Sequence, residues 1–343
     1  MASFASDNTA PVHPAVLAAV TKANEGHAPA YGNDRWTKAA TEKIQSLVGN
    51  DVPVWFAWNG TGANVTGLST LVRPRDAIIC TEDAHIHADE GGAPERFIGA
   101  KLIDLPTPDG KLTPALCATQ LPYIGDLHHV QPRVISITQS TERGTVYGVA
   151  ELKALSDWAH AHGFLVHMDG ARIANATAAL GGDLRATTRA VGIDVLSFGF
   201  TKNGGMGAEA VVFLDPKQGE GFQFVRKQGM QLASKMRFLA AQADALLTDG
   251  LWLTLAGHAN AMARRLADGI AKVQGVTLAR PPQANALFVT LADTAIKKLQ
   301  ERHTFYVWKG GADGRSECRW MCSWDTTEQD VDRFLADIGE IVR

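Results

Sequence analysis

The chain has 343 residues, of which 45% are hydrophobic and 20% are charged, and its formal net charge is −3. This composition is typical of a soluble protein with two domains, or with one large and one small domain. A near-neutral charge without a long basic run argues against nucleic acid and anionic membranes as partners. The four irregularly spaced cysteines, the lack of a signal-peptide pattern and the lack of a long apolar run lead us to expect a cytoplasmic protein.

The first part of the chain alternates predicted helices with polar turns. Helical patterns cover residues 15–24 and 36–48, and a short apolar strand is predicted at residues 54–58. Ser6 and the two polar residues after it precede the first helix. From the sequence alone, they are interpreted as turn and cap residues.

A glycine-rich turn follows the strand at residues 59–64 and leads into a predicted helix. Free backbone N–H groups at the start of a helix suit a phosphate group. The turn also imitates a dinucleotide-binding fingerprint, because Gly60 and Gly62 are followed about 20 residues later by Glu82 and Asp83. The third glycine of that fingerprint is missing, so we favour a single phosphate group over a dinucleotide.

Two histidines and two acidic residues form a short cluster, namely His85, His87, Asp89 and Glu90. The two histidines share one face only if this segment is a strand, and no further ligand set follows at a fixed spacing. We therefore predict no metal site. A histidine at this place could lie flat against a cofactor ring, and a histidine satisfied within a loop is an equally open interpretation.

The middle of the chain predicts an α/β fold. Residues 101–121 contain three prolines and are interpreted as loop-rich. Strands alternate with helices between residues 54 and 214, which indicates a mostly parallel sheet that is covered by helices on both faces. The candidate functional groups fall just after strands, where open α/β sheets bind ligands.

The pattern changes after residue 213. Long helical stretches are predicted at 222–248 and 251–273, and short strands interleaved with helices follow to the end of the chain. We therefore divide the chain into a large domain, residues 1–248, and a small C-terminal α+β domain, residues 249–343. Arg319 lies on one of the short strands of the small domain, where an arginine is usually exposed at an edge.

Lys202 and Asp169 each follow a buried strand. Asp169 precedes Lys202 by 33 residues, which is about one strand–helix–strand unit. Burial at a strand end lowers the pKa of a lysine and makes it able to form an imine. Pyridoxal phosphate needs such a lysine at its aldehyde and a carboxylate at its ring nitrogen. Taken singly, a solvated lysine and a helix-capping aspartate remain open alternatives.

Several motifs in this order resemble those of the threonine aldolase branch of the β-eliminating lyase family, whose members are fold-type I pyridoxal phosphate enzymes. They are Phe4-x-Ser-Asp-Asn8, Tyr31-Gly-x-Asp34, Asn59-Gly-Thr-Gly-Ala-Asn64, His85, Gly125-Asp-x-His128, His167-Met-Asp-Gly-Ala-Arg172 and Ser197-x-x-x-Thr-Lys-Asn203. The likeness covers the whole chain. Residues 234–238 and 322–327 place it nearest to the low-specificity and phenylserine aldolase subgroup. Thr201-Lys-Asn203 stands where many members carry Ser-Lys-Gly.

The resemblance implies pyridoxal 5'-phosphate as cofactor and retro-aldol cleavage of L-3-hydroxy amino acids (threonine, allo-threonine or phenylserine) to glycine and an aldehyde. It also implies a homotetramer, a dimer of dimers with shared active sites. The implied roles are an imine for Lys202, the ring nitrogen for Asp169, the phosphate for Gly60 and Thr61, ring stacking for His85, the substrate carboxylate for Arg172, Arg319 and Ser6, the β-hydroxyl proton for His128, and a neighbouring subunit's site for Tyr31. Arg172 is also expected to contact the cofactor, and either Lys235 or Arg237 to contact the phosphate across subunits.

Two other functions remain open at this stage. A β-elimination that gives ammonia and a 2-keto acid, or a transamination, would use the same cofactor site and differ in its products. A nucleotide-binding protein would use the turn at Gly60 and carry no covalent chromophore.

Overall fold

A computed structural model describes residues 3–311 and 313–342. Seven strands form the large sheet in the order β1-β7-β6-β5-β4-β2-β3. They are β1 Val54–Ala57, β2 Asp76–Thr81, β3 Lys101–Leu105, β4 Gln131–Thr138, β5 Leu165–Gly170, β6 Val195–Gly199 and β7 Glu209–Phe213. Strands β3, β2, β4, β5 and β6 are parallel, whereas β7 is antiparallel to both of its neighbours. The predicted mostly parallel α/β sheet is therefore confirmed.

Helices cover both faces of the large sheet. In chain order they are α1 Pro14–Ala23, α2 Arg35–Val48, α3 Gly60–Ser69, α4 His85–Ala88, α5 Ala93–Ile98, α6 Pro114–Ala118, α7 Val149–Ala161, α8 Ile173–Ala179, α9 Phe222–Gln228 and α10 Arg237–Leu247. Alternate residues of a strand belong to different cores, since Ile79 packs in one apolar cluster while Ile78 and Cys80 pack in another. This period of two explains why the strands are apolar throughout.

The small domain has its own antiparallel sheet in the order β10-β11-β9-β8. Its elements are α11 Leu251–Ile270, β8 Thr277–Leu278, β9 Ala286–Ala292, α12 Asp293–Gln300, β10 Tyr306–Lys309, β11 Arg315–Met321 and α13 Glu328–Ile341. Phe4, from the other end of the chain, stacks on Phe334 in this core with ring centroids 4.4 Å apart. Within the described residues, no helix is long and apolar enough to cross a membrane.

The division of the chain at residue 248 stays a prediction, and the packing is less simple than one cut. Trp252 and Leu255 at the start of α11 pack in the core of the large domain, while Met262 and Leu266 pack in the core of the small domain. Helix α11 therefore joins the two cores, and a buried N-terminal phenylalanine ties the first residues to the small domain.

Two sequence predictions about secondary structure are wrong. The loop-rich interpretation of residues 101–121 missed β3 and α6. The predicted helix 222–248 is interrupted after Gln228, and Met230 has a left-handed backbone with φ of 61°. The segment after the interruption contacts the site, because the side chain of Gln231 accepts a hydrogen bond from the Trp58 N–H at 2.9 Å, next to the turn that begins α3.

Candidate active site

Lys202 lies in a cavity of about 360 Å³ at the carboxyl edge of the large sheet. Strand β6 ends at Gly199, and a single helical turn, Thr201–Asn203, carries the lysine. Burial lowers the pKa of the Lys202 amine, and the charge of Arg172 lowers it further, against three nearby carboxylates that raise it. A buried amine of this kind is the nucleophile that an imine requires.

Two glycines allow the ends of β5 and β6 to approach each other. A Cβ atom on Gly170 would lie 2.6 Å from the Ser197 carbonyl oxygen, and one on Gly199 would lie 2.7 Å from the Ala171 carbonyl oxygen. Any other residue at these positions would force the strands apart. The close approach brings Asp169 near enough to Lys202 for its charge to raise the pKa of the amine.

The carboxylate of Asp169 is held by two donors. Its Oδ1 accepts the Ala171 N–H at 2.9 Å, and its Oδ2 accepts the amide of Asn64 at 2.8 Å. The same amide nitrogen donates to Glu90 Oε1 at 2.9 Å. Each carboxylate oxygen can accept a second hydrogen bond, so Asp169 retains capacity for a further donor such as a pyridinium N–H.

His85 is oriented by two acidic residues that sequence reasoning did not assign to it. Its Nδ1 lies 2.9 Å from Glu90 Oε1, and its backbone N–H donates to Glu142 Oε1 at 2.8 Å. The hydrogen bond to Glu90 raises the pKa of His85, although burial opposes it. Short histidine–carboxylate spacing was visible in the sequence for Glu90, but Glu142 lies 57 residues away along the chain.

One group of potential metal-binding atoms occurs among the described residues. Atoms of His85, Glu90 and Asp169 lie within 4.8 Å of one another. Asn64 donates to both carboxylates, and the histidine is already hydrogen-bonded to Glu90. These contacts form one connected hydrogen-bond network, which orients Asp169 and His85.

The turn at Gly60 begins α3 and opens into the same cavity. Asn59 caps the helix by accepting the Gly62 N–H at 2.7 Å. Among the described residues, the N–H groups of Gly60 and Thr61 have no hydrogen-bond partner. Two free N–H groups at a helix start fit a phosphate. Asp83, one of the two acidic residues of the dinucleotide alternative, is bound by Arg143 at 2.7 and 2.9 Å, which leaves Glu82 as the ribose ligand of that alternative.

The two predicted carboxylate-binding arginines differ in their surroundings. Arg172 donates Nε and Nη2 to the carboxylate of Asp7 at 2.7 and 2.8 Å, in a buried bidentate pair. Burial would raise the pKa of Asp7, but the charge and hydrogen bonds of Arg172 hold it below its ordinary value. The binding of the substrate carboxylate by Arg172 stays a prediction, and Asp7 already occupies one edge of its guanidinium.

Arg319 has no carboxylate within 4.0 Å among the described residues. Its Nη2 donates to the Ala5 carbonyl at 3.3 Å, and its buried Nε has no partner. The guanidinium lies 4.9 Å from the ring centroid of Trp308 and 5.8 Å from that of Tyr306. Burial and the charge of Arg172 lower the pKa of Arg319. An unpaired guanidinium held by aromatic rings is a preformed site for an anion.

Ser6 has the cap role that its sequence suggested. Its hydroxyl accepts the Asn8 N–H at 3.2 Å and it is the N-cap of the turn Asp7–Thr9. Asn8 lines the cavity with Lys202. The structure thus places Ser6 beside the site, with its hydroxyl used in a local turn.

Three predicted site residues neither line this cavity nor act on Lys202 by their charge, whereas Asp169 and Arg172, which do not line it either, act on Lys202 in that way. Tyr31 is 49% exposed and has a left-handed φ of 62°. Lys235 is exposed, and Arg237 donates to the Gly26 carbonyl at 2.9 Å. None of the three lines the cavity of its own chain.

His128 lies near the amino ends of the parallel strands, whereas Lys202 lies near their carboxyl ends. It is exposed in the loop before β4, whose first residue, Gln131, pairs with Asp76 at the start of β2. The eight residues of β4 span roughly 23 Å before the strand ends beside Asp169. The interpretation of His128 as a proton-handling group therefore fails for the cavity of its own chain.

Comparisons with known proteins agree with this geometry. Residues 3–294 match the family described as Beta-eliminating lyase. The chain is 44% identical to the low specificity L-threonine aldolase of Pseudomonas sp. (strain NCIMB 10558), over 99% of this chain and 97% of the relative. It is 45% identical to the protein of the same name from Pseudomonas aeruginosa, over 98% and 96%. A solved structure of Leishmania major threonine aldolase is 32% identical, covers 100% of both chains and superimposes with a TM-score of 0.95.

Proposed function

This chain belongs to the β-eliminating lyase family, and on that basis we propose that it is a pyridoxal phosphate-dependent aldolase. It would cleave L-threonine and related L-3-hydroxy amino acids (allo-threonine and phenylserine among them) to glycine and an aldehyde. The observation that carries the proposal is the meeting of Lys202, Asp169 and the open start of α3 at one sheet edge. It occurs in a chain that matches low specificity L-threonine aldolases over nearly its full length.

The residues present fit this cofactor. The free N–H groups of Gly60 and Thr61 would hold its phosphate, and Lys202 would bind its aldehyde carbon. Asp169 would keep a proton on the ring nitrogen, because Asn64 already holds the carboxylate in place. His85 lines the same cavity and would cover one face of the ring.

The protein groups determine which bond breaks. When bound, pyridoxal phosphate supplies an electron sink for a bond at the substrate Cα. Arg319 would bind the substrate carboxylate by charge-assisted hydrogen bonds, and the remaining edge of Arg172 would contribute further bonds. A carboxylate fixed in this way sets the rotation about Cα–N, so that Cα–Cβ is aligned for cleavage. A base that takes the β-hydroxyl proton would release the aldehyde as Cα–Cβ breaks, and a proton delivered to Cα would then complete glycine.

The positions of His128 and Tyr31 support shared sites in a homo-oligomer. Both are exposed, and neither lines the cavity of its own chain. They would serve the cavity of a neighbouring copy in the dimer of dimers that the resemblance implies. Mixed oligomers of His128→Ala and Lys202→Ala chains should then regain activity that each variant lacks alone. Mixtures without regained activity would contradict a site that two chains share through His128.

One experiment tests the proposed function. The purified protein should have a visible absorption band that borohydride removes by fixing the cofactor to Lys202, and Lys202→Ala should lack that band. L-Threonine should give glycine and acetaldehyde in equal amounts. Ammonia and a 2-keto acid as main products would replace the aldolase with a β-eliminating enzyme, and a wild-type protein without a chromophore would contradict both.

A further inference from the structure

Glu209 is a buried carboxyl beside Lys202 that the sequence did not single out. It is the first residue of β7 and pairs with Gly199, the last residue of β6. It is 7% exposed, and it lines the same cavity as Lys202. The side chain therefore lies at the point where the chain leaves the sheet to form the lysine-bearing turn.

Both oxygens of Glu209 hold that turn. Oε2 accepts the Phe200 N–H at 3.2 Å, and Oε1 accepts the Thr201 hydroxyl at 2.6 Å. The Thr201 oxygen in turn accepts the Ala208 N–H at 3.2 Å. These bonds fix the two residues immediately before Lys202 against the start of β7. Glu209 therefore holds the backbone that leads into Lys202, together with the bond from the Asn203 side chain to the Trp252 carbonyl at 2.8 Å.

Glu209 also differs from Asp7, another carboxylate whose charge acts on Lys202. Asp7 is neutralised by the bidentate pair with Arg172, whereas Glu209, like Asp169, accepts two hydrogen bonds. In the described part of the chain, no Lys, Arg or His nitrogen lies within 4.0 Å of the Glu209 carboxyl. Lys202 is the cation whose charge acts on it.

We propose that Glu209 is a positioning residue for Lys202, which fixes the lysine-bearing turn and supplies a negative charge that favours the protonated form of the Lys202 nitrogen. The inference rests on the proposed function and adds a residue to it. Each group favours the charged form of the other, because the charge of Lys202 lowers the pKa of Glu209 and the charge of Glu209 raises the pKa of Lys202. Burial raises the pKa of Glu209 to about 7, against its hydrogen bond to Thr201 and the charge of Lys202. Burial and Arg172 lower the pKa of Lys202, against Asp7, Asp169 and Glu209.

Glu209→Gln separates the charge from the hydrogen bonds. The glutamine oxygen can accept the Phe200 N–H, and its amide can donate to the Thr201 hydroxyl. That hydroxyl can then turn its proton to the Ala208 carbonyl, which lies 3.4 Å away. The visible absorbance of the holoenzyme, titrated across about pH 5 to 10, reports protonation of the Lys202 nitrogen. Loss of a nearby anion should move the midpoint down by about one pH unit or more.

Two control variants make the result specific. Thr201→Val removes a hydrogen bond to Glu209 but keeps the charge, so its midpoint should stay closer to that of the wild type. Asp194→Asn removes another buried carboxylate, one that accepts the Val166 N–H at 2.7 Å, at the opposite end of β6. Its titration curve should coincide with that of the wild type, because it is too far from the lysine to act on it.

The outcomes are distinct. A lower midpoint in Glu209→Gln alone supports the inference. A Glu209→Gln curve that coincides with the wild-type curve overturns it, and so does a Thr201→Val shift of equal size, since the charge would then have no separate effect. A wild-type protein that has no visible band would contradict the proposed aldolase function. A protein that has the band and cleaves threonine, but whose titration does not change in Glu209→Gln, would contradict only the inference about Glu209.

Discussion

Arg172, which follows β5 of the large sheet, and Arg319, which lies on β11 of the small sheet, are held in opposite ways. We call these two places the large-domain wall and the small-domain wall of the site. On the large-domain wall, Arg172 is neutralised by Asp7, whose carboxylate also accepts the Asn285 amide at 3.1 Å. On the small-domain wall, Arg319 has aromatic rings and a backbone carbonyl around it but no carboxylate partner among the described residues. Burying a charge is costly unless it is paired. The paired arginine is therefore already satisfied within the fold, whereas the unpaired one is satisfied only when an anion binds.

The largest effect is expected at Arg319. Arg319→Ala should lower kcat/KM for L-threonine by about 1000-fold, because a buried carboxylate that loses its partner costs about 4 kcal/mol. Arg319→Lys should recover only part of this loss, since lysine lacks the planar fork and the contact with Trp308. Steady-state kinetics would measure the change in kcat/KM. The control variant is Arg264→Ala, because Arg264 is an exposed arginine on α11. Wild-type kinetics in Arg319→Ala would show that Arg319 does not bind the substrate carboxylate, and the contrast with the paired Arg172 would then have no functional meaning.

The strands that lead to Asp169 and Lys202 can be predicted from the sequence, whereas the ion pair of Arg172 with Asp7 cannot. Asp169 and Lys202 follow apolar runs whose length identifies buried strands, so the sheet edge and its two main groups could be predicted. The partner of Arg172 could not, because Asp7 lies 165 residues away and is recognised only after folding. Glu209 opens the strand after Lys202 and looks like an ordinary polar strand end. Its role depends on the antiparallel pairing with β6, which no local pattern reveals.

The second effect is expected at Asp7, and it concerns stability. Asp7→Asn leaves Arg172 buried without its counter-ion and should lower the free energy of unfolding by about 4 kcal/mol. Because the folded state lowers the pKa of Asp7, its stabilisation is present above the ordinary value of 3.8 and is lost as the pH falls through the folded value. Urea unfolding of both proteins, followed toward acid pH, would show the difference shrinking.

A matched surface pair gives the control for Asp7. Asp51 binds Arg189 in the same two-pronged manner but is exposed to solvent, so Asp51→Asn should change stability little. If Asp7→Asn proved no more destabilising than Asp51→Asn, the large-domain wall would not depend on its pair, and the contrast between the walls would disappear.

The smallest effect is expected at Glu142, which tests whether every unpaired buried charge marks a ligand site. Its Oε1 accepts the His85 N–H and the Thr138 hydroxyl, whereas its buried Oε2 has no partner. An arginine cannot lose its charge, but a carboxylate can take up a proton. Burial, and then the charge of Asp169, raise the pKa of Glu142 to about 7. Glu142 can therefore be buried as a neutral acid without a ligand, and Arg319 cannot.

The sign of the pH dependence distinguishes this explanation. The folded pKa of about 7 exceeds the ordinary value of 4.5, so the folded state binds more protons between the two values and stability falls as the pH rises through that range. Glu142→Gln keeps the accepting oxygen and removes the ionisation, and should be more stable than the wild type near pH 8 by at most about 3 kcal/mol. Near pH 4 the two proteins should unfold alike, because the wild-type acid is then neutral in both states.

Glu151, which binds Lys111 at 2.9 Å, has a lowered pKa, so Glu151→Gln should show the opposite trend. A Glu142→Gln protein that is less stable at pH 8 would mean that the wild-type carboxylate is charged and paired there, and that it belongs with Asp7 among the satisfied charges of the large-domain wall.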